Sequence, residues 1–253
     1  MNAGQFLVRG LLAGLIAGLA AFGVAYAVGE PQVAAAIALE EAQTDHSAAD
    51  EAGHGHDEGG TPAIEVSRAN QSTWGLLTGT VAIGVAMGGI TALAAAFALG
   101  RIGTLKPTQT TALVALLGFV AIGLIPFLKY PATPPAVGNA ETIGQRTTLY
   151  FAFIGICIVA VIIETVFAAL LLRRGSSAYA ATVFPTLGFL SIVGLAAYML
   201  PAVNEVGDFP ADTLWYFRRA SILTTAALWA TLGIVLTGLI RRPQARRDLA
   251  ASL

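Results

Sequence analysis

"FIGICIVAVIIETVFAAL", residues 153–170, decides the fold. These eighteen residues hold a single charged side chain, Glu164, and about 18–20 apolar residues suffice to cross hydrocarbon as a helix. A membrane β-strand would alternate over about ten residues, whereas this run is apolar on nearly every face. Inside hydrocarbon each backbone amide needs a partner within the segment, so the run is read as α-helical. Working outward, similar runs predict spans over approximately 6–28, 74–99, 108–128, 147–172, 180–200 and 219–240. The 253 residues are 56% hydrophobic and only 11% charged, against about 25% charged in ordinary soluble domains. The expected fold class is all-α: a polytopic membrane helix bundle of about six transmembrane helices. It forms one integral membrane domain, 1–253, surrounded by membrane lipid.

Orientation follows from Lys and Arg. One set of segments carries Arg9, Arg101, Lys106, Arg173, Arg174, Arg241, Arg242, Arg246 and Arg247. The other carries Arg68, Lys129, Arg146, Arg218 and Arg219, with every acid except Glu164 and Asp248. The positive-inside tendency places both termini in the cytoplasm and the 29–73 loop outside, in a multi-pass membrane protein. "AYA" (25–27) has the A-x-A pattern of a signal-peptide cleavage site, but the basic n-region is thin and the apolar run long. Gly10, Gly14 and Gly18 recur every four residues on one face of the first segment, as in closely packed membrane helices, which favours a retained span. Gly75 with Gly79, and Gly84 with Gly88, repeat the pattern in the second.

Several functions lack any supporting motif. No P-loop, nucleophile elbow or H-E-x-x-H occurs, so no enzyme activity is expected. The one long basic cluster, "RRPQARR" (241–247), sits where a membrane anchor would, and nucleic-acid binding is not expected. One cysteine, Cys157, excludes an intramolecular disulfide.

Three features could carry chemistry. "DHSAADEAGHGHDEGG" (45–60) holds all three histidines, His46, His54 and His56, with Asp57 and Glu58 adjoining the last. Imidazole and carboxylate together suit borderline divalent ions such as Co²⁺, Ni²⁺ and Zn²⁺. The glycines around them favour weak, exchangeable capture; the plain alternative is a solvated polar linker. Glu164 is the only carboxylate within a span, and an intramembrane charge is costly enough to suggest function; the alternative is a neutral, hydrogen-bonded packing group. Cys157, seven residues before it, shares its face, as a stepping point or a small packing residue. Finally, "PFLKYPATPPAVGNAETIGQRT" (126–147), with four prolines, reads as a semi-rigid cap. Lys129 and Tyr130 fall at an interfacial position. Glu141 there, with Glu205 and Asp208 of "VNEVGDFPAD" (203–212), could ring an outer vestibule for cations or be ordinary loop residues.

"GLLTGTVAIGVAMGG" (75–89), the 126–147 block and "LPAVNEVGDFPADTLWYFRRAS" (200–221) resemble the CbtA family, proposed cobalt-transporter membrane subunits of bacteria. The likeness runs from "GEP" (29–31) to the sixth span. It implies a role in cobalt uptake, linked to cobalamin supply and often accompanied by a small single-span CbtB partner. It supplies no established ligand residues. Read so, Co²⁺ is cargo, Ni²⁺ and Zn²⁺ are rivals, and no cofactor is expected. Capture at His46, His54, His56, Asp57 and Glu58 would precede passage by Glu141, Glu205 and Asp208 to Glu164. A permease for another small solute and a non-transporting scaffold are the alternatives.

Overall fold

The structure, a computed structural model, describes residues 3–50, 67–135 and 137–251. Six helices are long and apolar enough to cross a membrane: α1 (Ala3–Ala42), α2 (Arg68–Ala98), α3 (Pro107–Lys129), α4 (Ile143–Arg173), α5 (Ala180–Met199) and α6 (Ala211–Arg241). No strand occurs among the described residues. In each helix at most 33% of the most apolar stretch is buried, and large side chains such as Ile83, Phe97, Phe151 and Ile234 point outward. Water would not tolerate so continuous an apolar surface, whereas lipid tails would solvate it. The chain is a multi-pass membrane protein.

Helices α1 and α2 pack most closely, along the glycine face legible in the sequence. A methyl group on Gly18 would come within 2.7 Å of the Thr80 carbonyl oxygen, and one on Gly84 within 2.7 Å of the Gly18 Cα. Gly10 and Gly14 likewise meet the backbones of Gly88 and Gly84. Gly79, expected to share the pattern, faces open space instead. Phe6, Ala13 and Ala17 of α1 and Ala92 of α2 then join Trp229, Leu232 and Leu236 of α6 in one core. A second core joins Ala121 of α3 to Phe153, Cys157 and Ala160 of α4 and Phe189 and Val193 of α5. Between the two, α3 lies on α6, with the Trp229 ring over Gly118. Cys157 is fully enclosed by apolar neighbours, a packing role.

Three helices widen locally. Turns closed by i→i+5 hydrogen bonds occur at Ala25–Gly29 in α1 and Phe119–Leu124 in α3. Each precedes a proline by two residues: Pro31 and Pro126. Proline offers no N–H and crowds the carbonyl four residues back, so the preceding turn opens. A third such turn, Gln71–Gly75, has no proline beside it.

The sequence predicts a loop from residue 29; instead the chain stays helical from Glu30 to Asp50. "EPQVAAAIALEEAQ" (30–43) is rich in alanine and glutamate, strong helix formers. Ala36 and Leu39 on this extension pack against Val137, Val206, Phe209 and Leu214. That burial anchors the extension to the loops above α3 and before α6. At its base Glu30 pairs with Arg68 at the start of α2.

Candidate functional site

The α3–α4 and α5–α6 connections interlock over one end of the bundle. Lys129 Nζ donates to the Leu200 carbonyl at 3.1 Å, the Tyr130 hydroxyl to the Pro201 carbonyl at 2.9 Å, and Arg218 Nε to the Ala132 carbonyl at 3.3 Å. Leu200 directly follows α5, where carbonyls lack intrahelical partners, so the Lys129 ammonium acts there as a cap. Glu205 is the hub. One of its carboxylate oxygens accepts from the Asn139 amide and the Thr142 hydroxyl, both at 2.9 Å, and lies 3.4 Å from Arg146 Nε. The Asn139 amide and then the Thr142 hydroxyl hold the Glu205 carboxyl below its usual range against an opposing effect of burial, with the Arg146 charge a smaller help.

The sign of that shift fixes a pH dependence. A depressed folded-state pKa stabilises the cap above the unfolded value, about 4.3 for Glu, and the contribution disappears as pH falls through the folded value. Amide protection factors over residues 137–142 and 201–209, corrected for the intrinsic exchange rate at each pH, should therefore fall below about pH 4. Glu205→Gln should raise exchange at pH 7 and flatten the profile; a wild-type profile in this variant would assign the acid response elsewhere.

Beneath this cap lies a cavity of about 450 Å³ between α3, α4 and α6. The widened turn of α3 contributes Ile122 and Gly123, the first turns of α4 contribute Arg146, Thr147 and Tyr150, and α6 contributes Arg218, Ser221 and Thr225. Among the described residues Glu205 is the one carboxylate in its wall.

Glu164 stands elsewhere, on α4 about six residues beyond the helix midpoint, or ~9 Å along the axis. Its half-buried carboxylate rests on Gly188 of α5: a methyl there would come within 2.5 Å of Oε1 and 2.8 Å of Oε2. It has no hydrogen bond or ion pair among the described residues. Gly188 thus provides the room in which an intramembrane carboxylate lies against a neighbouring helix without a cation beside it.

A family model described as "Probable cobalt transporter subunit (CbtA)" matches residues 3–241. The chain belongs to the CbtA family. Comparison with curated proteins and with solved structures finds no match. Membership marks the chain as a membrane subunit of a cobalt transport system by the family's description, and a subunit implies partners.

Within this CbtA chain the sequence-predicted residues are scattered. His46 lies on the helical extension of α1, while His54, His56, Asp57 and Glu58 fall outside the described residues. Glu141 and Asp208 are exposed, and Glu205 is engaged by Arg146 and its neighbours. Among the described residues no three His, Cys, Asp or Glu side chains come together. Arg146 and Arg218, which sequence reasoning passed over as outer-loop basic residues, line the cavity beneath the cap with Glu205. Their only signal was that each sits in the first turns of a span, directly after a proline-containing connection.

Proposed function

We propose that this protein is the membrane-spanning subunit of a system carrying Co²⁺ into a bacterial cell across the plasma membrane. Ni²⁺ and Zn²⁺ are the competing cargoes. The observation that carries the reading is CbtA membership over residues 3–241. Both termini lie in the cytoplasm, as the Lys and Arg distribution favours. The 29–73 segment is then extracytoplasmic, and His46, His54, His56, Asp57 and Glu58 act as a loose metal collector. Glu164 is the deep station of the path, supported by its unpaired carboxylate against Gly188. The outer acids Glu141, Glu205 and Asp208 would guide cations on approach, although the engagement of Glu205 favours a structural share for that residue. The activity is transport, with no catalytic step, and the partner is a small single-span CbtB-like subunit.

Uptake of radiolabelled Co²⁺ by cells expressing the chain, alone and with such a partner, tests the reading. Protein-dependent accumulation is expected, and its absence in both settings would refute it. Deleting residues 45–60 should reduce uptake severalfold at limiting metal and leave the rate at saturating metal unchanged. Loss at every concentration would make the segment part of the path itself.

A further inference from the structure

The cavity between α3, α4 and α6 has a chemistry that the metal reading leaves unused. Its wall holds two guanidiniums, Arg146 and Arg218, against one carboxylate. That carboxylate is already spent: Glu205 accepts from the Asn139 amide and Thr142 and faces Arg146. Arg146 is largely engaged too, its Nη2 donating to the Asn139 carbonyl at 3.1 Å, but donors remain on Arg218 and the nearby hydroxyls. Arg218 uses only Nε, toward the Ala132 carbonyl, and its two Nη groups have no partner among the described residues. The hydroxyls of Thr147, Tyr150 and Ser221 are likewise unpartnered there, and Arg146 Nε is buried without a hydrogen bond of good geometry. Around these donors stand Ile122, Phe127, Ile143, Phe151, Val203 and Val206.

Excess positive charge and unspent donors repel a bare divalent cation and suit a ligand that brings acceptors and negative charge. Arginine presents a planar fork that matches a carboxylate through two parallel hydrogen bonds. The apolar walls suit a carbon skeleton. We infer that this cavity is a binding site for a small organic carboxylate, held by the Arg218 guanidinium with Tyr150, Ser221 and Thr147 as further donors. Such a ligand could enter free or as the chelator of a divalent metal. The site stands on the cavity alone and does not depend on cobalt being the cargo.

The test uses the full-length protein in lipid nanodiscs, titrated calorimetrically with citrate, with equimolar Co²⁺–citrate, with inorganic phosphate and with Co²⁺ alone. Citrate or its cobalt complex is expected to bind and phosphate to bind far more weakly. A preference between the two citrate forms tells the free acid from the chelate. Arg218→Gln should weaken citrate binding about tenfold or more, and Arg218→Lys should recover part of the loss. Ser221→Ala and Tyr150→Phe remove one hydroxyl each and should weaken it severalfold, which keeps the test sound if Arg218→Gln fails to fold. Absence of citrate binding to wild type in either form, equal binding by the folded Arg218 and Ser221 variants, or tighter binding of phosphate would overturn the proposal. Citrate binding seen in neutral-lipid nanodiscs that is unchanged by Arg218→Gln would overturn it equally.

Discussion

Gly84→Leu is expected to leave almost no folded protein in the membrane. The added side chain would start where the Gly14 carbonyl and the Gly18 backbone already lie. Neither can yield without parting α1 from α2, because both obstacles are main chain within regular helix. Overfilling a packed interior costs about 1–3 kcal/mol even when side chains can adjust; against backbone the cost should exceed that range. Membrane helices also have no water to expel from such a seam, so close contact itself is what holds them together. Gly79→Leu, five residues earlier on the same helix, is the control. Gly79 meets no atom within 4 Å, and leucine is the better helix former by nearly 1 kcal/mol. Thermal aggregation in detergent, followed by size-exclusion chromatography, should show a large fall in the midpoint for Gly84→Leu and none for Gly79→Leu. Equal midpoints would mean that α1 and α2 are not in contact through this face.

Glu164→Gln should abolish most metal uptake while leaving expression and detergent stability near wild type. An isolated charge costs about 2.5–3.5 kcal/mol at the centre of a span on insertion scales and less toward its ends, so losing the Glu164 charge should not weaken the bundle and could strengthen it. Gly188→Ala sharpens the test. The methyl would displace the end of the flexible Glu164 side chain, not backbone, so the helices can stay in place while the carboxylate moves. Both variants should cut the initial rate of Co²⁺ uptake at least tenfold. Undiminished rates in both would make Glu164 a packing residue and remove it from the path.

The elements most legible in the sequence are those set by local physics. Apolar runs announce spans whatever their neighbours, and the Gly10, Gly14, Gly18 periodicity announces a contact face. Even so, Gly84 and Gly88 found partners while Gly79 did not, because period alone does not say which stripe of a helix meets protein and which meets lipid. The extension beyond residue 29 was hidden by its polarity. Glu30 and Pro31 resemble a helix end, yet Ala36 and Leu39 bury against a loop some 170 residues later, around Phe209. Glu164 could be singled out as the lone carboxylate of a span, but Gly188 beneath it could not. The cavity was the least visible feature. Arg146 comes from one part of the chain and Glu205 and Arg218 from another, each an ordinary interfacial residue until folding places them on one wall.

The helical extension of α1 also sets how any captured metal would travel. From Glu30 to His46 the helix advances ~24 Å at 1.5 Å per residue. Leu39 packs beside Phe209, so an ion held at His46 would stand ~10 Å farther along the helix than the outer loops and would have to dissociate before recapture by them. The extension would then hold the collector at a fixed distance from the entrance, so that an ion released from it begins its search nearby. Binding that is too tight would defeat it, since each ion must be released before the next arrives. The useful affinity is bounded from above by the turnover of the transporter, and a rigid, high-affinity metal cage in its place would slow uptake.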